Sequence, residues 1–356
     1  MKQYILKTII NITVLLTVIK HNKNKQKGDK KSNQNNVGVF ILTNSKHFYI
    51  SIIAILSFLH FIQNKSKKSH INIINDGSLN SFQEKILSYI PNANVIKGFA
   101  PELITSISKH KHLSELISYG WPAKKLLIPL WSSYKKIIII DSDTITIKRL
   151  DEIIKWIESD KTTNLFLQDY MNFVSISPIE AEAMFKTKVK ITNLNTGLLC
   201  INLKSFLQKN SLDNIDYYFG RITDVIKTRM LRDYYRECEL KYFIKNIEQT
   251  VFWVCLNNCK SKALSSKYIL INQNQKDNPD PVFIHFTPDT IEKLSYYRYL
   301  FLSLKKYIYK KLLFKPTDKP WYATYNFQNY LSLLTTKYSL FTKKVNLLKK
   351  LKLYIV

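Results

Sequence analysis

The run Lys135-Lys136-Ile137-Ile138-Ile139-Ile140-Asp141-Ser142-Asp143 constrains the fold of this chain more than any other stretch. Four consecutive β-branched residues suit a strand that is apolar on both faces, as the central strands of parallel sheets are. The strand ends abruptly in two carboxylates, and ligands of open α/β sheets gather beyond the carboxyl ends of strands. On an extended backbone Asp141 and Asp143 lie on one side and Ser142 on the other. Two like charges that close call for a cation between them. Hard oxygen ligands suit Mg²⁺ or Mn²⁺, ions commonly shared with a substrate diphosphate. A bare Asp-x-Asp after a strand is more often a surface turn, by roughly two to one, so the other motifs must decide.

The pattern around this strand is that of an α/β unit. Val37 to Thr43 reads as a strand, Tyr49 to Ile62 as an apolar helix, and His70 to Ile74 as a strand closed by the turn signal Asn75-Asp76-Gly77. Strand, helix and strand imply a right-handed crossover. Ser81 to Tyr89 reads as the next helix, Val95-Ile96 as a short strand, and Ala123 to Trp131 as the helix leading into Ile137 to Ile140. Leu165-Phe166-Leu167, Leu198-Leu199-Cys200-Ile201 and Val282-Phe283-Ile284 add further short strands. This alternation, with no internal repeat, predicts one nucleotide-binding type of sheet rather than an eight-fold barrel. With 356 residues, 46% of them hydrophobic, the chain can bury a large core and is not mainly disordered.

A formal charge of +28 and a pI near 9.7 favour a polyanionic partner: nucleic acid, an anionic membrane or a phosphorylated small molecule. The bias towards Lys, Asn and Ile is also what an AT-rich genome would produce, which accounts for part of the charge. The sheet region carries no basic-aromatic recognition motif and no helix-turn-helix signal, so nucleic acid is the weakest of the three partners. Cys200, Cys238, Cys255 and Cys259 show no CxxC spacing and read as reduced, buried thiols of a cytosolic domain; an even count also permits one disulfide.

Tyr4 to Ile19 is apolar but interrupted by Lys7 and Asn11, and falls short of the ~20 residues of a membrane span. It reads as an interfacial anchor, an uncleaved signal anchor or an N-terminal packing helix, followed by a polar linker from His21 to Asn36. After Thr287 the chain becomes rich in Lys and Tyr. Leu294 to Phe314 and Leu331 to Tyr354 read as basic helices, the first with Leu300, Leu304, Ile308 and Leu312 at helical spacing beside Lys306 and Lys310. Such helices lie in the headgroup region of an anionic bilayer, or pack on the sheet with their lysines in water.

Four segments in fixed order join the paired carboxylates: Thr43-Asn44, Asn195-Thr196-Gly197-Leu198-Leu199, Glu248-Gln249-Thr250 and Ile284-His285-Phe286. Together, over roughly residues 37 to 287, they resemble glycosyltransferase family 8, which includes glycogenin and bacterial lipopolysaccharide galactosyl- and glucosyltransferases. The resemblance implies a GT-A fold, a mixed, mainly parallel sheet flanked by helices. It implies transfer of a hexose, galactose or glucose, from a UDP-sugar with retention of configuration. It also sets an expected organisation: residues 1–36 as apolar segment and linker, 37–287 as the catalytic domain, and 288–356 as a basic, aromatic helical region.

The same resemblance assigns roles. Asp141, Asp143 and His285 match the metal ligands, and an imidazole beside two carboxylates suits Mn²⁺ better than Mg²⁺ because nitrogen is the softer donor. Thr43 and Asn44, with His47, Phe48 and Tyr49 available for stacking, stand where nucleobase and ribose bind; Asn44 replaces the usual acidic residue. Lys125, in Lys125-Leu126-Leu127-Ile128-Pro129, would neutralise the diphosphate, with Lys124 one position away as the alternative. Asn195 and Gly197 would meet the donor sugar, glycine permitting close backbone approach. Glu248-Gln249 stands where Asp-Gln is usual: Glu248 would hold sugar hydroxyls and Gln249 would sit near the anomeric carbon. The other reading of Glu248-Gln249 is the N-terminal turn of a helix. No carboxylate nucleophile emerges, so retention implies front-face displacement, the departing phosphate helping to deprotonate the acceptor. The family's Lys-Pro-Trp, close behind the His in most members, is here Lys319-Pro320-Trp321, beyond the helix Leu294 to Phe314. Lys319 would still reach the phosphates, with Lys293 as the fallback.

The expectation is a metal-dependent UDP-hexose transferase acting on lipopolysaccharide or another surface glycan or glycolipid, cytoplasmic and peripherally bound to an anionic membrane surface. Its rivals are an effector of the same fold that glycosylates a protein, and a non-catalytic membrane or nucleic-acid binding protein.

Overall fold

A computed structural model describes residues 37–62, 70–90, 92–99, 101–116, 121–169, 174–233, 237–271 and 281–286. In chain order these form β1 (Val37–Thr43), α1 (Phe48–Ile62), β2 (His70–Asn75), α2 (Ser81–Ser88), β3 (Ala93–Lys97), α3 (Pro101–Ile107) and α4 (Lys111–Leu116). A 3₁₀ helix (Trp121–Leu126) then runs into α5 (Leu127–Trp131), followed by β4 (Lys136–Ile140), β5 (Thr144–Thr146), α6 (Asp151–Glu158), β6 (Asn164–Gln168) and α7 (Pro178–Phe185). The rest comprises β7 (Leu194–Asn202), α8 (Leu203–Lys209), α9 (Leu212–Asp233), α10 (Glu237–Asn257), β8 (Ser261–Ala263), β9 (Tyr268–Ile271) and β10 (Phe283–Phe286).

The isoleucine run lies at the centre of a seven-stranded sheet of order β3-β2-β1-β4-β7-β6-β8. β4 pairs parallel with β1 and antiparallel with β7, and every residue of β4 is buried. Alternate side chains serve two cores. Ile138 and Ile140 pack with Ile52, Ile55 and Phe58 of α1, whereas Ile137 and Ile139 pack with Leu127, Phe252 and Trp253. That two-sided burial is why the run is continuous rather than alternating. The β1–α1–β2 crossover joins parallel neighbours as expected, and β6 and β7 add antiparallel pairing, so the sheet is mixed and mainly parallel with helices on both faces.

A second sheet, of order β5-β10-β9, carries chain from beyond the site back to it. β10 pairs antiparallel with β5, with His285 opposite Thr144, and Phe286 N–H donates to Asp143 O at 2.9 Å. Backbone pairing with β5 thus brings β10, which follows α10 in the chain, next to the paired aspartates.

Three expectations need correction. The helix expected over Ala123 to Trp131 is a 3₁₀ segment followed by a restart at Leu127; the restart puts Pro129 in the first turn of α5, where a missing N–H costs no helical bond. The strand expected at Leu198 to Ile201 begins at Leu194, so the Asn195-x-Gly197 element lies inside β7. Glu248-Gln249 does not open a helix but lies well inside α10, whose buried face includes Ile247, Val251 and Phe252. The stretches Tyr4 to Ile19 and His21 to Asn36, the two basic helices, Lys293 and Lys319 lie outside the described residues. Among the described residues no helix is long and apolar enough to cross a membrane. Cys200 and Cys255 are free and buried, and Cys259 is free and half-buried.

Candidate active site

The carboxyl end of β4 is where the paired aspartates emerge. Asp141 N–H still donates to Gly197 O at 3.0 Å, continuing the ladder with β7, and the chain then turns. Ser142 and Asp143 form that turn between β4 and β5, and Thr144 Oγ1 donates to Asp141 O at 2.8 Å. The backbone is therefore turned rather than extended, because β5 must reverse onto β10. The expected division of side chains survives: Asp141 and Asp143 face one site, while Ser142 Oγ is 2.8 Å from His47 Nδ1.

His285 completes the group. Ligand atoms of Asp141, Asp143 and His285 all lie within 4.8 Å of one another. His285 Nε2 is 3.2 Å from Asp143 Oδ1 and 3.6 Å from Asp141 Oδ2. Burial alone would raise the Asp143 pKa, but the imidazolium beside it and their hydrogen bond hold it below the ordinary value. Burial likewise opposes charge on His285, and the two aspartates outweigh it, holding the imidazole pKa above its usual value. The His285 ring thus lies against both carboxylates. Two hard oxygens and one borderline nitrogen, clustered and partly open to solvent, fit Mn²⁺ or Mg²⁺.

Lys125, from the end of the 3₁₀ segment, is almost wholly buried. Its Nζ lies 2.8 Å from Asp141 Oδ1 and 3.3 Å from Glu248 Oε1, and donates to Thr196 O and Oγ1 at 3.3 Å. Burial works against its charge, but the two carboxylates prevail and hold its pKa above the usual lysine value. Glu248 is the converse case. Burial, reinforced by Asp141, outweighs Lys125 and the hydroxyl donated by Thr196 Oγ1 at 3.2 Å, and its pKa rises from 4.5 to about 7. Next to it Gln249 is nine-tenths buried, and among the described residues its amide nitrogen meets no acceptor. A buried orphan donor costs about 1–3 kcal/mol unless a ligand satisfies it.

Gly197 is tight for a reason the sequence did not supply. A Cβ there would come within 2.3 Å of His285 Nδ1 and 2.7 Å of its Cγ, so the close approach this glycine permits is that of the imidazole. Asn195 Oδ1 accepts from Gly197 N–H at 2.8 Å and lies 2.9 Å from His285 Nδ1, and its Nδ2 donates to Asp169 Oδ2 at 3.0 Å. Asp169 is a residue that sequence reasoning missed; it follows β6 directly, outside any motif.

The residues after β1 are engaged locally. Thr43 is fully buried and bonds Ser51 Oγ, Asn44 Oδ1 accepts from His47 N–H at 2.8 Å, and half-buried Tyr49 packs on Phe48 and the core. Lys124 and Lys125 part company: Lys124 lines a cleft of about 460 Å³ beyond β1, β2 and β3, with Leu42, Asn75, Lys97, Phe99 and Leu127.

No family model matches the chain, and no curated protein matches it. Among solved structures, the bifunctional glycosyltransferase WbbM in its apo form is similar at 15% identity and TM-score 0.45, over 80% of this chain and 53% of its own. This chain thus spans about half the length of that protein. The galactosyltransferase LgtC, solved with donor and acceptor sugar analogs, is similar at 11% identity and TM-score 0.45, over 79% and 98%. Mouse xyloside xylosyltransferase 1, apo form, is similar at 9% identity and TM-score 0.46, over 72% and 98%. The fold assignment rests on the sheet order and register described above.

Proposed function

We propose that the chain is a metal-dependent, retaining hexosyltransferase of the family 8 type, taking galactose or glucose from a UDP-sugar to a glycan or glycolipid such as lipopolysaccharide. The observation that carries this reading is the convergence of Asp141, Asp143 and His285 at the carboxyl end of the central strand, with their ligand atoms within 4.8 Å. A bound Mn²⁺ or Mg²⁺ would stabilise charge on the UDP leaving group as the glycosidic bond breaks.

The chain's own groups divide the remaining work. Asp141 and Asp143 provide oxygen ligands and His285 Nε2 a nitrogen one. Lys125 pairs with Asp141 and Glu248; its contact with a diphosphate would run past Asp141, while Lys124 lines the adjoining cleft. That cleft is the room we assign to the nucleoside; Leu42, which lines it, directly precedes Thr43 and Asn44 in the chain. Glu248 and Gln249 face the donor sugar from α10. Gln249 brings an amide donor that no described residue meets, and its neutral amide polarises without being a good nucleophile. Asn195 and Gly197 form the floor under His285. Lys319, or Lys293, would bind the phosphates, and the basic segment 288–356 would hold the enzyme at an anionic membrane surface.

The test is Mn²⁺-dependent hydrolysis across a panel of UDP-hexoses by wild type and Asp143→Ala. Slow turnover of one donor, lowered at least about 100-fold by the substitution, is expected. Hydrolysis indifferent to both Mn²⁺ and the substitution would overturn the reading.

A further inference from the structure

His285 is the sole nitrogen donor in the cluster, and an imidazole can ligate only through a ring nitrogen whose lone pair is free. Which nitrogen that is depends on what the other one meets. His285 Nδ1 faces Asn195 Oδ1 at 2.9 Å. The same oxygen accepts from Gly197 N–H at 2.8 Å, and a backbone N–H can only donate, so the amide presents its oxygen on this side. At the other end Asn195 Nδ2 donates to Asp169 Oδ2 at 3.0 Å, a carboxyl oxygen placed to accept. Turning the amide over would set donor against donor and acceptor against acceptor. Both residues are 5% exposed, so water competes little for these bonds. Asp169 is itself held by the end of the β6–β7 pairing, its N–H donating to Asn193 O at 3.0 Å.

We infer that Asp169 and Asn195 form a positioning relay that fixes the ring and tautomer of His285, Nδ1–H towards Asn195 and Nε2 towards the divalent cation. The relay rests on the metal-site reading above. It gives Asn195 a task separate from sugar contact, and Asp169 a task where no motif had marked one. Groups that orient a ligating histidine in this way typically change metal affinity by about 10–100-fold when removed.

The experiment is a Mn²⁺ titration of the full chain followed by electron paramagnetic resonance. Asn195→Leu is expected to weaken Mn²⁺ binding by about 10–100-fold. The exchange of Asp169→Asn with Asn195→Asp returns an acceptor to His285 and a donor–acceptor pair behind it, and is expected to restore most of the affinity. In Zn²⁺-loaded protein with ¹⁵N-labelled histidine, wild type should show a protected Nδ1–H on His285 that Asn195→Leu lacks. Should Asn195→Leu not fold, the single Asn195→Asp sets two carboxylates against each other and should lose affinity that the exchange restores. Wild-type affinity in Asn195→Leu with an unchanged Nδ1–H signal, or equal affinity in the single and exchanged variants, overturns the relay alone. Absence of Mn²⁺ binding by wild type overturns the metal-site reading and the relay with it.

Discussion

Among the described residues two lysines are buried near the central strand, one at each end, and their contacts differ in kind. Lys136, at the start of β4, donates to Trp156 O at 2.7 Å, Ile157 O at 3.2 Å and Ser159 O, and its ammonium lies 5.0 Å from the Trp156 ring centroid. Its acceptors are neutral carbonyls at the C-terminus of α6, which favours a cation on its own account. Lys125, near the other end, is held by the carboxylates of Asp141 and Glu248. The first arrangement uses backbone carbonyls of one helix end. The second belongs to a cluster in which burial drives Glu248 towards its neutral form and the aspartates raise the pKa of His285. The same residue type therefore closes a helix at one end of the sheet and balances charge in a candidate site at the other.

Replacing each lysine by methionine should expose the difference. Lys125→Met leaves buried carboxylates short of a partner and should cost about 3–5 kcal/mol near neutral pH. The loss should shrink in acid, as the carboxylates take up protons, and added Mn²⁺ should recover part of it. Lys136→Met takes a donor from three backbone carbonyls and should cost about 1–3 kcal/mol, with little response to Mn²⁺. Urea unfolding at two pH values, with and without Mn²⁺, measures all four terms. Equal losses that both ignore Mn²⁺ would erase the distinction.

Glu248 sharpens the same contrast by titration. The unfolded residue loses its proton near 4.5 and the folded one near 7. Between these values the folded state holds the extra proton, so this group's contribution to stability falls as pH rises and the penalty is complete above about 7. The shift corresponds to something on the order of 3 kcal/mol. Glu248→Gln should therefore gain stability over wild type at pH 8 and little at pH 4, in metal-free protein. A difference that does not change with pH would contradict the assignment.

The sheet was legible because its signals are local. A continuous Ile137 to Ile140 run demands burial on both faces, and Asp141 and Asp143 follow it in the chain. What escaped reading depends on partners remote in sequence. β5 and β9 are short and acquire meaning only by pairing with β10, which is what brings His285 to the aspartates. The role of Gly197 as the space for an imidazole 88 positions later in the chain has no local signature, and Asp169 is an ordinary acidic residue until β6 and β7 pair. Lys136 looked like one of two basic residues before a strand, and only the packing of α6 turns it inward. Glu248-Gln249 read as a helix start or a site, and the structure has it deep in α10 facing Lys125, a register that propensity alone does not give.

The most direct test of the central claim is calorimetric binding of UDP to wild type and Asp143→Asn, each with and without Mn²⁺. If Asp141, Asp143 and His285 hold an ion that is shared with the donor diphosphate, wild type should bind UDP with Mn²⁺ and bind far more weakly without it. Asp143→Asn, which keeps the shape of the side chain but loses its charge, should lose the Mn²⁺-dependent part. UDP binding of equal strength in all four conditions would contradict the account.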